Sequence, residues 1–294
     1  MPEQLIGIIG GTGLADALAE RLIDAVSHDI ETPFGKTSAP VCVGTLGQNK
    51  IAFLNRHGKG HKLSPSRVPF AANIFALKKL GVRTLISSGA VGSLRDQIAP
   101  GDLVVVDQFI DKTFRRTNSF FSGLGAVHCE MAEPCCGRVR KILLDTARHI
   151  DVRTHPKGTY ICMEGPQFST RAESLMHRAA GGDLIGMTAM PEAKLAREAQ
   201  ICYALIALPS DYDCWRPHQA SHDKQTLLKE ITANLQMATD SCLKLINAVL
   251  QNPPGEDELV SDDCHCRKSL DLAVWTDPAQ IDPADKEKLK VLFE

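Results

Sequence analysis

The feature that most limits how this chain can fold is a series of short apolar runs separated by helix-like stretches. They cover Leu5 to Ile9, Ile51 to Leu54, Thr84 to Ile86, Leu103 to Val106, Thr159 to Met163, Leu184 to Met187 and Ile201 to Leu208. In several of them apolar residues occupy consecutive positions, the pattern of a strand covered on both faces. The expectation is an α/β fold with helices packed on a central sheet. The clearest helix spans roughly Asp223 to Val249, with Leu227, Ile231, Leu235, Ala238, Cys242 and Ile246 on one stripe, and Asn252-Pro253-Pro254-Gly255 ends it. Acidic residues follow, then an ordered-looking stretch from Ser269 to Trp275. Residues 1–255 are therefore expected to form the main domain, with residues 256–294 a tail packed on it.

With 294 residues, 44% of them hydrophobic, the chain can bury one large core or two small ones. A formal net charge of −2, from 33 basic and 35 acidic residues, offers no general attraction to nucleic acid or an anionic membrane, which favours small-molecule ligands. The start, Met1-Pro2-Glu3-Gln4 and a short apolar run, lacks the basic segment and longer apolar stretch of a secretory signal, and no run approaches a membrane span. The expected setting is cytoplasmic, where ten cysteines do not by themselves imply disulfides.

Four strand ends carry anion-binding chemistry. The first strand runs into Gly10-Gly11-Thr12-Gly13, where glycines let amides converge on an oxyanion and Thr12 adds a hydroxyl. The dinucleotide fingerprint is excluded because Asp16 stands where its third glycine belongs. A triphosphate loop at Gly35-Lys36-Thr37 is excluded because Ile30 replaces its leading glycine and Pro33 interrupts it. The second strand end, Asn55-Arg56-His57-Gly58-Lys59-Gly60-His61, supplies a guanidinium whose planar fork suits phosphate. Ser87 to Ser93 and Gly186-Met187-Thr188 add further amides and hydroxyls. Directly after the last apolar run, Ser210-Asp211-Tyr212-Asp213 places two carboxylates two residues apart at a strand's carboxyl end, where open α/β sheets bind ligands. Two close acids disfavour each other's ionisation, so one can hold a proton for a leaving group; alone, the pair reads equally well as a turn or cap.

Taken together, Gly7 to Leu14, Thr32-Pro33-Phe34-Gly35, Arg56-His57-Gly58, Pro100-Gly101-Asp102, Asp107 to Asp111, Met131-Ala132-Glu133-Pro134, Glu164 to Ser169, Met187-Thr188 with Pro191-Glu192, and Asp211 to Trp215 resemble the 5′-methylthioadenosine phosphorylase family, within the trimeric purine nucleoside phosphorylases. The resemblance covers nearly the whole chain. It implies a single-domain nucleoside phosphorylase fold, a mixed twisted sheet flanked by helices, in a homotrimer. It also implies phosphorolysis of methylthioadenosine to adenine and 5-methylthioribose 1-phosphate, with inorganic phosphate as co-substrate and no metal or organic cofactor. By position, Thr12, Arg56, His57, the Ala90 amide and Thr188 are expected on phosphate, and Met187 on the ribose. Phe168 and Ser169 are expected at the base, with Asp211 and Asp213 facing the purine edge. Asp211 is the expected acid, and His61 and a neighbouring subunit's His128 approach the 5′ end. Gly89, Gln167 and Ala189 depart from the residues frequent in relatives. The rival readings are a phosphorylase of methylthioinosine or ordinary purine nucleosides, and a nucleoside-binding protein without turnover.

Cys264-His265-Cys266 resembles the extended C-terminus of many bacterial and archaeal members. A packed tail, a redox-active pair and a zinc site are all open. Zinc is the least favoured, because its cysteines usually stand further apart and no matching second pair is present in the sequence.

Overall fold

The computed structural model describes residues 5–11, 14–19, 21–216, 223–251 and 259–294. Thirteen strands occur among them: β1 (Leu5–Gly10), β2 (Ile23–His28), β3 (Glu31–Thr32), β4 (Gly35–Lys36), β5 (Val41–Leu46), β6 (Asn49–Asn55), β7 (Val82–Ser93), β8 (Leu103–Val105), β9 (Gln108–Asp111), β10 (Thr154–His155), β11 (Thr159–Cys162), β12 (Leu184–Gly186) and β13 (Cys202–Asp211). The α-helices are α1 (Leu14–Ala19), α2 (Phe70–Lys79), α3 (Gly137–His149), α4 (Arg171–Ala179), α5 (Glu192–Glu198), α6 (Lys224–Gln251) and α7 (Pro283–Leu289).

Every expected apolar run is a strand. The centre of the sheet is β13, β7, β1 and β6, all parallel, so their carboxyl ends open on one edge. Antiparallel β8 flanks β13, antiparallel β5 flanks β6, and β2 follows β5. A second wing, β9–β11–β12, joins through the antiparallel pairing of β12 with the last residues of β7, which makes the sheet mixed.

Consecutive apolar residues serve opposite faces. On β13, Cys202, Ala204, Ile206 and Leu208 pack with α3 and α6, whereas Tyr203, Leu205 and Ala207 pack with α2 and α5. The described part of the tail feeds both layers. Leu259, Val260, Cys264 and Cys266 enter the first, and Leu270, Ala273, Ile281, Leu289 and Leu292 enter the second. At roughly 1.5–3 kcal/mol gross for each large apolar side chain removed from water, these contacts hold the tail firmly against the sheet.

Two sequence expectations change. Ser87 to Ser93, read as the end of a strand expected over Thr84 to Ile86, continues β7 to twelve residues, because β13 pairs with it as far as Gly92. Helix α6 matches the expected span, but its stripe is deeply buried only from Ala238 onward. Twenty-eight residues at about 1.5 Å each give a helix about 42 Å long, and its first half runs past the core to the sheet's carboxyl edge. The Asn252–Gly255 stop lies outside the described residues.

Candidate active site

The carboxyl ends of β6, β7, β12 and β13 and the first half of α6 enclose a cavity of about 580 Å³. That volume is in the range of small-molecule sites. Arg56, His57, His61, Ala90, Phe168, Ser169, Met187, Thr188, Asp211 and Asp213 all line it. Thr12 lies outside the described residues. His128 does not line the cavity of its own chain; its ring meets Trp275 edge-on at 5.4 Å, and its amide donates to the Ala273 carbonyl. Phe168 is 85% exposed, so it forms part of the rim.

At one end, Arg56 is buried at 1% exposure, and its fork is already occupied. Nε and Nη2 donate to Glu192 at 2.8 and 3.1 Å, Nη2 also to Ser87 Oγ at 2.6 Å, and Nη1 to the Ser88 carbonyl at 2.8 Å. The expectation that this fork clasps phosphate with two parallel bonds is therefore corrected. Of five N–H groups, one Nη1 hydrogen is left without an acceptor among the described residues. Glu192 also accepts from Ser87 Oγ and Tyr203 Oη, so the pair sits in a satisfied network that cancels most of the guanidinium's charge.

A Cβ placed on Gly89 would lie 3.3 Å from Thr188 Oγ1 and 4.0 Å from Arg56 Nη1, so both donors border the space that this glycine leaves. Ala90 is two residues beyond Ser88, whose carbonyl points at Arg56, so its backbone is directed to the same edge. The last residue of β7 paired with β1 is Ser87, and no β1 residue covers that edge further on. His57 donates from Nδ1 to the Leu63 carbonyl at 2.8 Å, since a carbonyl can only accept. Burial lowers its pKa to about 4, with Arg56 adding to the effect against the Leu63 bond. The neutral ring keeps a lone pair on Nε2, which can accept from a phosphate hydroxyl. His61 stacks on it, centroids 4.2 Å apart.

At the other end the carboxylates are held by different donors. Asp211 accepts from the Asp213 amide at 2.6 Å and from Ser210 Oγ at 2.9 Å, and Asp213 accepts from Ser174 Oγ. Trp215 donates its indole N–H to the Ser93 carbonyl at 2.8 Å and lies under Arg178, fixing the turn that carries both acids. Asp213 has φ +49°, a conformation Asp tolerates better than most side chains. Gly92 keeps this corner tight. A Cβ on it would come within 3.2 Å of Ile185, Asp213 Cβ and Asp211 Oδ1. Gly89 and Gly92 are three residues apart on β7, about 10 Å along the strand backbone, and the donors beside the first and the acids beside the second line the same cavity.

Sequence reasoning missed three groups. Glu192 was quoted only within a motif. Leu227, Ile231 and Leu235 were placed only on the apolar stripe of the long helix, yet they are half-buried and form the cavity's apolar wall. The Arg116 side chain is buried and donates to the carbonyls of Glu164, Met187 and Met190, tying the Met187 and Glu164 segments together. Burial would raise the pKa of Glu164, but the Ser66 hydroxyl, the Phe114 and Arg115 amides and the Arg116 charge outweigh it and hold the carboxyl at about 2. A lone arginine outside the quoted motifs gives no sequence signal for such a clamp.

Residues 5–251 match the family model described as the phosphorylase superfamily. A relative from Cereibacter sphaeroides, an S-methyl-5′-thioadenosine phosphorylase, is 46% identical over 98% of this chain and 96% of its own. The chain belongs to the methylthioadenosine phosphorylase family of that superfamily. Among solved structures, a methylthioadenosine phosphorylase from an antarctic soil metagenomic library superposes with a TM-score of 0.89 at 40% identity, covering 100% of both chains. A Schistosoma mansoni methylthioadenosine phosphorylase solved with adenine gives 0.76 at 35% identity, over 84% of this chain and 91% of that one. The mixed α/β phosphorylase fold expected from sequence is the fold found. The family model ends at Gln251, whereas the Cereibacter relative also aligns across most of the tail.

Proposed function

We propose that this chain cleaves 5′-methylthioadenosine with inorganic phosphate, releasing adenine and 5-methylthioribose 1-phosphate. The observation that carries this reading is a single cavity lined both by donors suited to an oxyanion, Thr188 and Arg56 beside Gly89, and by two carboxylates, Asp211 and Asp213 beside Gly92. It matches a nucleoside held with phosphate on one side of the ribosyl carbon and the purine on the other. As the glycosidic bond breaks, positive charge grows on the sugar and negative charge on the departing base. A phosphate oxyanion stabilises and then bonds to the first, and an acid at the imidazole nitrogen of the base relieves the second. Thr188, the Ala90 amide, His57 and the Nη1 hydrogen of Arg56 that has no acceptor among the described residues form the phosphate end. Asp211 protonates the base and accepts from its 6-amino group, and Asp213 braces Asp211 through its amide.

The wall of Leu227, Leu228, Ile231 and Leu235 supports a 5′ substituent without polar atoms to satisfy, as methylthio is. The test is a steady-state comparison of methylthioadenosine, adenosine and inosine, with and without phosphate. Methylthioadenosine should be cleaved fastest and only when phosphate is present. Faster cleavage of inosine would sink the base assignment, and adenine release without phosphate would make the enzyme a hydrolase.

The reading includes a homotrimer in which a partner's His128 closes the 5′ end. Support comes from an exposed apolar patch beside that histidine, with Leu272 at 92% and Trp275 at 74% exposure. Sedimentation equilibrium should give three times the chain mass, and His128→Ala should raise KM for methylthioadenosine more than for phosphate. A monomer at assay concentration would remove this part of the proposal.

A further inference from the structure

Outside the cavity, Cys136, Cys202, Cys264 and Cys266 arrive from three separate parts of the chain, and their Sγ atoms all lie within 4.8 Å of one another. The sequence argument against zinc was the lack of a second thiol pair. In three dimensions that pair is assembled from Cys136, the N-cap of α3, and Cys202, the first residue of β13. We propose that the four thiolates bind a structural Zn²⁺ ion.

A tetrahedral zinc with bonds of about 2.3 Å places its sulfurs about 3.8 Å apart. Cys136 Sγ and Cys264 Sγ are 3.6 Å apart, and no pair of the four exceeds 4.8 Å, so closing on a metal asks for movements of about 1 Å or less. Four protein ligands in a core cluster leave no open position for a substrate, which fits a structural ion.

Charge is provided for. Binding releases four thiol protons to solvent and leaves a complex of net charge −2. Arg138 Nη2 lies 3.6 Å from Cys202 Sγ. Arg267, next to Cys266, reaches the Gln200 carbonyl at 3.4 Å, two residues before Cys202. Cys136 also caps a thirteen-residue helix, whose amino end favours a thiolate. Backbone bonds already hold the ligand segments, from the Cys136 amide to the Tyr203 carbonyl and from the Arg267 amide to the Cys264 carbonyl, both at 2.8 Å. The ion would pin the tail to β13 nine residues before Asp211, about 30 Å from the acids along the strand. Its role is to hold the fold.

The test is metal analysis of the reduced full chain purified without chelator, followed by Co²⁺ titration of the metal-free protein. About one Zn²⁺ per chain is expected, together with the sulfur-to-cobalt charge-transfer bands and tetrahedral d–d absorption of a tetrathiolate. Cys266→Ser should lose the metal and melt at lower temperature. Should that variant fail to fold, the cobalt spectrum of the unaltered chain decides alone. Reduced protein that takes up no cobalt, or intact mass under non-reducing conditions showing hydrogens lost to disulfides and no metal, would overturn the proposal.

Discussion

Asp211→Asn should lower kcat for methylthioadenosine by about two to four orders of magnitude, the usual contribution of a positioned acid. The substitution is a narrow one. An asparagine carbonyl can still accept from the Asp213 amide, and its NH₂ can donate to Ser210 Oγ where the aspartate accepted, so the turn above Gly92 keeps its shape. What is lost is the proton for the departing base and the acceptor for its 6-amino group. The variant should therefore shift toward 6-oxopurine nucleosides, since an amide can donate to a 6-oxo group. Stopped-flow or steady-state measurement with both substrate types reads the two effects separately. An unchanged kcat for methylthioadenosine would remove Asp211 from the chemistry, and an equal fall for both substrates would indicate damage to the site in place of lost acid catalysis.

Glu192→Ala should cost about 3–5 kcal/mol of folding stability, measured by urea unfolding, because it leaves the Arg56 guanidinium buried without its counter-charge. Ser87 and Tyr203 lose an acceptor in the same step. Replacing both partners together, Arg56→Met with Glu192→Leu, should recover much of that loss, since a well-packed apolar pair can match a buried ion pair in stability. The double variant should nevertheless bind phosphate weakly, because the Nη1 donor is gone. If the single variant is as stable as the parent, the network around Arg56 is not what holds the phosphate end in place.

The parts of the fold legible in the sequence were those set by hydrophobic burial. A run such as Ile201 to Leu208 is apolar at every position because both faces are covered, and it became β13. The short polar strands were not legible; β2, exposed along most of its length, has no pattern to distinguish it from a loop. Within the site, the residues proposed to meet the ligands stood out by type: Arg56, Thr188, Asp211. Their partners did not. Glu192 is 136 residues from Arg56, and Arg116 holds carbonyls of residues 48 to 74 positions away. Such pairings depend on how strands are ordered in the sheet, which local spacing does not encode. The same holds for the cysteines, where Cys136 and Cys264 are 128 residues apart.

Both halves of the cavity are mounted on one continuous β7, and this divides what can vary from what cannot. Side chains arriving from β6, β12, β13 or α6 can be exchanged to suit another anion, another base or another sugar substituent. The gap between nucleophile and leaving group behaves like a gauge block: a residue gained or lost between Gly89 and Gly92 would turn the strand's side chains onto the opposite face and break its pairing with β13. Substrate range in such an architecture can therefore drift by recolouring the walls while the reaction it performs stays the same.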